Sequence, residues 1–142
     1  MGSTQSLFYV NYCDMQNAIN SEKTIIHIMN VGDENILIKN TLTAQLEIER
    51  INNYLDSGKT DIDIYIYGYS NADFNKLLQR QKQLNRLGFK NVYVYFGGMF
   101  EWLLLREVYG QSEFPINGTD IGKVIDILKY HKPIKSYSFG GN

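Results

Sequence analysis

Apolar and polar positions change period along the 142-residue chain, and each change marks a predicted element. Ile62, Ile64 and Ile66 alternate with Asp63, Tyr65 and Tyr67, the period of two that predicts a strand over 61–67. Ser70-Asn71-Ala72-Asp73 then has the spacing of a capping box, in which Ser70 and Asp73 satisfy free backbone amides reciprocally. Phe74, Leu77, Leu78, Leu84 and Leu87 form the apolar face of the helix that follows, and Gly88 is placed to end it. Val92, Val94 and Phe96 alternate with Tyr93 and Tyr95 in a second strand over 91–96. Gly97-Gly98 leads into a helix carrying Trp102, Leu103, Leu104 and Leu105, which closes at Gly110. Residues 61–102 thus read as a βαβ unit, and the loop after its first strand is where such units place ligands.

The flanks extend the alternation. Leu7-Phe8-Tyr9-Val10 is a short β-type run, and Asp14 is placed to cap a brief helix through Ile19. Thr24 to Ile28 is a continuous apolar, β-branched run, as expected of a buried parallel strand. Gly32 to Asn35 is a turn cluster, and Ile36-Leu37-Ile38 predicts another short strand. Ala44, Ile48, Ile51 and Leu55 recur at helical steps, with Gln45, Glu47, Glu49, Arg50 and Asn53 on the solvated side and Ser57-Gly58 as the stop. Pro115 breaks the chain, and Ile121 to Tyr130 offers Val124, Ile125, Ile127 and Leu128 for packing on a sheet edge. Strands alternating with helices predict an α/β class: a mostly parallel five-stranded sheet with helices on both faces. The expected organisation is a flexible N-terminus over 1–6, one domain over 7–116 and a C-terminal extension over 117–142 with a loose tail.

Composition narrows the functional classes. Hydrophobic residues make up 44 % of the chain and charged residues 20 %, ordinary values for a globular domain, and the formal net charge is −1. No basic stripe of the kind nucleic-acid binding needs is visible, so no nucleic-acid partner is expected. The single cysteine, Cys13, excludes an internal disulfide and a cysteine metal cluster and fits an intracellular, cytoplasmic protein. No apolar run approaches a membrane span. Met1-Gly2-Ser3-Thr4-Gln5-Ser6 fits the N-myristoylation pattern with Gly2 as acceptor, against the competing reading of a polar, disordered terminus. Membrane association is expected only if Gly2 is acylated, and one acyl chain binds marginally.

The strand Val92 to Phe96, followed by Gly97-Gly98-Met99-Phe100-Glu101-Trp102, resembles the rhodanese-like family, which has a strand, Gly-Gly and a tryptophan at this spacing. The unit from Ile62 to Gly88 matches that family's active-site strand, loop and helix in position and length, and the strands at Ile25 and Ile36 match its earlier part. The run from Gly97 to Pro115 and the Ile127-Leu128-Lys129-Tyr130 segment are similar to a branch found in protists and large DNA viruses. The resemblance implies the fold, and in active members a cysteine directly after the central strand. Its thiolate takes a sulfane sulfur, or attacks phosphate in related cell-cycle phosphatases, while loop amides and an arginine hold the anion.

Aligned on that pattern, the cysteine position holds Gly68, the arginine position Asp73 and the loop glycine position Asn71, with Tyr69, Ser70 and Ala72 between them. The acidic and arginine positions at the end of the earlier strand hold His27 and Met29. The expectation is therefore a catalytically inactive domain acting as a protein-binding or scaffolding module, with no cofactor and no metal. Its contact surface would centre on His27, Met29, Tyr69 and Asp73. Two alternatives stand beside it: an enzyme of sulfurtransferase or phosphatase type using unconventional residues, and a structural component of a viral particle, which would place it in the virion. Within the enzyme alternative, Ser70 is a candidate nucleophile with His27 as base, against Ser70 as a simple helix cap. Asp61 and Asp63 lie about six strand steps of ~3.3 Å from Asp73, too far to share an ion. Tyr65, Tyr67, Tyr69, Tyr93 and Tyr95 read either as sheet-face packing or as an aromatic patch for a partner or a second copy of the chain.

Overall fold

The computed structural model describes residues 8–118. The expectations for 1–7, including Gly2 and the Leu7 start of the first strand, and for the extension beyond 118 lie outside the described residues.

The first strand, β1, is Tyr9–Val10. It leads into helix α1, Tyr12–Asn20, where Asn11 is the cap and Asp14 its capping-box partner: the Asn11 side chain accepts from the Asp14 amide, and Asp14 accepts in return from the Asn11 amide. Asp14, expected as the cap, sits three positions inside it. Strand β2, Thr24–His27, is buried at every position. A short 3₁₀ turn at Val31–Asp33 and strand β3, Leu37–Ile38, precede helix α2, Ala44–Asp56, capped by Thr43. Strand β4 is Asp63–Tyr67, two residues shorter than its pattern. Helix α3, Phe74–Arg86, follows a 3₁₀ turn at Asn71–Asp73, and strand β5 is Asn91–Tyr95. Helix α4, Gly98–Tyr109, and strand β6, Ile116–Asn117, complete the described chain.

The main sheet has the order β1-β5-β4-β2, and every pairing in it is parallel. It has four strands, not five. The expected fifth strand, β3, pairs antiparallel with β6 in a separate ribbon, Leu37 opposite Asn117 and Ile38 opposite Ile116. The reason lies in the turn past β3: Thr41, not β3, makes the bridge to Ile25 at the β2 edge. The domain boundary drawn at 116 falls inside β6.

Alternation along the strands separates two cores. Ile64, Ile66, Val92 and Val94 face Leu77 and Leu84 of α3 and Ile51 of α2. Tyr67 and Tyr95 face the other way, into Met15 and Ala18 of α1 and Met99, Trp102 and Leu103 of α4. Helices therefore cover both faces, as the parallel sheet requires.

The apolar faces of α2 and α3 differ from the pattern. Ile48 is 63 % exposed, while Glu47, expected on the solvated side, is buried against Arg80 of α3. Phe74 and Leu87, expected in the core, are exposed at the two ends of α3, and Gln81 is buried instead, donating to the Val92 carbonyl. In each case a polar side chain with a partner across the packing takes the inward position.

Candidate functional site: the loop after the central strand

Strand β4 has a parallel neighbour on each side, and the loop after it, residues 68–73, lies at the carboxyl ends of the strands. Its geometry is set by one carboxylate. Asp73 Oδ2 accepts from the Tyr69 amide at 2.7 Å and from the Ser70 amide at 3.4 Å. Ser70 Oγ accepts from the Ala72 amide at 3.2 Å, so the capping box foreseen from the sequence forms. Backbone amides that converge in this way attract an anion. Here the anion is the protein's own.

Gly68 is buried directly behind that carboxylate. A Cβ at position 68 would lie 2.7 Å from Asp73 Oδ2 and 3.0 Å from Asp73 Cβ. Glycine at 68 and aspartate at 73 are therefore a matched pair: the second fills the space that the first leaves open. The loop is also braced from behind by α4. The Met99 and Phe100 amides donate to the carbonyls of Gly68 and Tyr69 at 3.0 and 2.8 Å, satisfying two of the free amides of that helix's first turn. Gly98 makes this approach feasible. It sits at φ +69°, and a Cβ there would be 2.6 Å from the Gly68 carbonyl oxygen. This is the structural meaning of Gly-Gly before the tryptophan helix. Trp102 itself is buried, with its indole N–H on the Pro115 carbonyl at 3.0 Å.

Of the other candidate residues, Asn71 and Ala72 are exposed on the rim, and Tyr69 is half-buried with its ring near that of Phe100. Burial, reinforced by Asp33, pushes the Tyr69 hydroxyl up to about 12. It is a neutral hydrogen-bonding group and not a base at ordinary pH.

His27 and Met29 lie at the end of β2 beside the start of the loop, but the ring of His27 is bonded to Glu34, in the turn that follows β2. Its Nδ1 accepts from the Met29 amide at 2.9 Å, which leaves the ring proton on Nε2, directed at Glu34 Oε2 at 2.6 Å. The same Glu34 oxygen accepts from the Ala44 amide at 2.5 Å. Burial alone would push the Glu34 carboxyl up, but the bonds from His27 and Ala44 outweigh it and hold it below the ordinary glutamate value. With both His27 nitrogens engaged, no hydrogen bond joins it to Ser70 among the described residues. The candidate nucleophile and base are not brought together. The Glu34 link was missed in the sequence because nothing in a local turn cluster shows that its acid will meet a strand residue seven positions back.

The tyrosines divide between the two readings. The Tyr67 hydroxyl is fully buried, accepts from the Ile38 amide at 3.0 Å and donates to Thr41 Oγ1 at 2.8 Å. Tyr95 donates to Glu101 Oε1 at 2.6 Å. Burial raises both hydroxyls well above the tyrosine range, so they are packing groups. Tyr65 and Tyr93 are part-exposed and stack at 4.9 Å.

Among the described residues no three His, Cys, Asp or Glu side chains converge as metal ligands, and no helix is long and apolar enough to cross a membrane. Asp63 pairs with Lys23 at 3.0 Å, and Cys13 is exposed on α1. No family model matches the chain, and no curated protein does. Among solved structures it is similar to the crystal structure of the Alr3790 protein from Anabaena sp., with a TM-score of 0.56, 18 % sequence identity, and 82 % of this chain and 98 % of that one covered. At that identity the likeness is one of fold, and with the sheet order above it establishes an α/β architecture on a mostly parallel central sheet.

Proposed function

We propose that the chain is a non-catalytic rhodanese-like domain that works by binding a protein partner. The observation that carries this reading is the seat of the Asp73 carboxylate on the Tyr69 and Ser70 amides, against Gly68. A thiolate enzyme of the resembling type would need a sulfur at position 68 and empty amides facing the incoming oxyanion. This loop supplies neither: its amides already hold an anion and position 68 has no side chain. The hydroxyl alternative is weakened by the same geometry, because Ser70 Oγ caps the following turn and His27 is bonded to Glu34. What the loop does offer is a rim of fixed shape, with Asn71, Ala72 and part of Tyr69 presented to solvent.

Sulfur transfer from thiosulfate to cyanide and aryl-phosphate hydrolysis by the unmutated chain are expected at the buffer rate. Turnover proportional to protein concentration would overturn the reading. Gly68→Cys alone is expected to remain inactive, because the new side chain and the Asp73 carboxylate compete for one space. Robust activity from that single change would mean that the carboxylate does not hold the cradle.

A further inference from the structure

Helix α3 presents a cationic face. Helix α3 carries Lys76, Arg80, Lys82 and Arg86 and no acidic residue, in a chain whose formal net charge is −1. Beside it lies a groove of about 580 Å³. Lys76, Gln79, Gln83 and Arg86 recur along its wall at steps of three, four and three, one stripe of the helix, with Lys82 flanking them and Ile28 at the end of β2 as the apolar contact. The stripe from Lys76 to Arg86 is about 15 Å long at ~1.5 Å per residue.

The hydrogen bonding of the groove leaves its positive charge unbalanced. Arg80 is neutralised: it donates to Glu47 of α2 and to Gln83 Oε1. That contact turns the Gln83 amide NH2 into the group left to donate. Lys76, Lys82 and Arg86 meet no carboxylate among the described residues. The wall is thus three exposed cations interleaved with amides, all able to donate hydrogen bonds.

We infer that this groove binds an acidic, extended peptide segment of a protein partner. An extended chain covers the ~15 Å stripe with about five residues at ~3.3 Å each, bringing carboxylates to the cations and backbone carbonyls to the glutamine amides. The lining disfavours two other polyanions. Among the described residues it presents no aromatic ring on which a base would stack. Ile28 is also its one apolar side chain among the described residues, where a membrane-surface site interleaves large apolar groups with its cations. The inference rests on the reading of the chain as a protein-binding module and names the chemistry of one partner segment. Enzymatic turnover would sink the module reading and leave groove binding measurable, whereas failure of the peptide test would leave the loop argument intact.

The test measures binding of a fluorescent deca-glutamate peptide to the full chain at about 50 mM salt, where exposed charges are weakly screened. The unmutated chain is expected to bind, and Lys76→Glu/Lys82→Glu/Arg86→Glu to weaken binding by about tenfold or more. A control with the same charge change on other exposed positions, Lys39→Glu/Arg50→Glu/Lys59→Glu, is expected to change it by less than about threefold. Should the charge-reversed groove variant fail to fold, Lys76→Gln/Lys82→Gln/Arg86→Gln takes its place, with the same direction expected. Absence of peptide binding, or equal loss in groove and control variants, would overturn the inference. So would tighter binding of a ten-nucleotide oligothymidylate, or recruitment to phosphatidylserine vesicles through the same three residues.

Discussion

Asp73 and Glu34 each use a carboxylate to tie two donors together. Asp73 holds two amides of the loop. Asp73→Ala leaves them without their acceptor, and the expected cost is about 1–2 kcal/mol in urea unfolding, with Asp73→Asn milder because its amide oxygen still accepts. A wild-type-like midpoint for the alanine variant would show that water replaces the carboxylate at no cost. Glu34 bridges His27 and the first amide of α2, and its folded-state pKa is depressed. A group depressed on folding stabilises above its unfolded pKa, about 4.3 for glutamate, and loses that contribution as pH falls through the lower folded value. Glu34→Gln is therefore expected to melt below the unmutated chain at pH 7. The gap should close as pH falls below the unfolded value and through the lower folded one, where Glu34 itself becomes neutral. A gap independent of pH would assign the effect to shape and not to charge.

At the scale of elements, helix α2 shows how a partner across the packing overrides periodicity. Its inward stripe runs through Glu47 and Ile51, and Ile48 faces water. Ile48→Lys is expected to shift stability by no more than about 0.5 kcal/mol. Ile51→Ala is expected to cost about 2–4 kcal/mol, since it removes methyl groups from the core between α2 and the sheet. Chemical denaturation of the two variants side by side decides the register. Equal costs would mean that the helix can rotate to bury Ile48. Helix α4 makes a related point at its start, where the need for Gly98 comes from the loop that its backbone touches and not from the helix it begins.

For the molecule as a whole, stability concentrates in the sheet interior. Strands β4 and β5 are the long inner pair, matched over five residues, while β1, β3 and β6 are two-residue strands. Amide hydrogen exchange is expected to be slowest over Asp63–Tyr67 and Asn91–Tyr95 and at least about tenfold faster in β3 and β6. Comparable protection in the β3–β6 ribbon would mean that it belongs to the same cooperative unit. Two cores, one on each face of the sheet, make this the natural order of opening.

Much of this architecture was legible in the chain. Period-two runs at Ile62–Ile66 and Val92–Phe96, the capping box at Ser70 and the stop at Gly88 are local signals, decided by residues within a few positions of one another. The parallel class followed from their alternation. Where the sequence pattern failed, the deciding contact lay outside the element that carried the pattern. The place of β3 depends on Ile116, some 78 residues on. The burial of Glu47 depends on Arg80, 33 residues away. The orientation of His27 depends on an acid in the next turn. The site divides in the same way. Gly68 and Asp73 were visible in the sequence, because residue identity alone excludes a thiolate at position 68 and places a carboxylate in the loop. That the charge turns inward and fills the cradle, and does not stand at its mouth repelling other anions, was decided by the tertiary structure. Only the folded loop brings the Tyr69 and Ser70 amides to one point, and an anion among converging N–H groups is stabilised where the same anion facing solvent would not be.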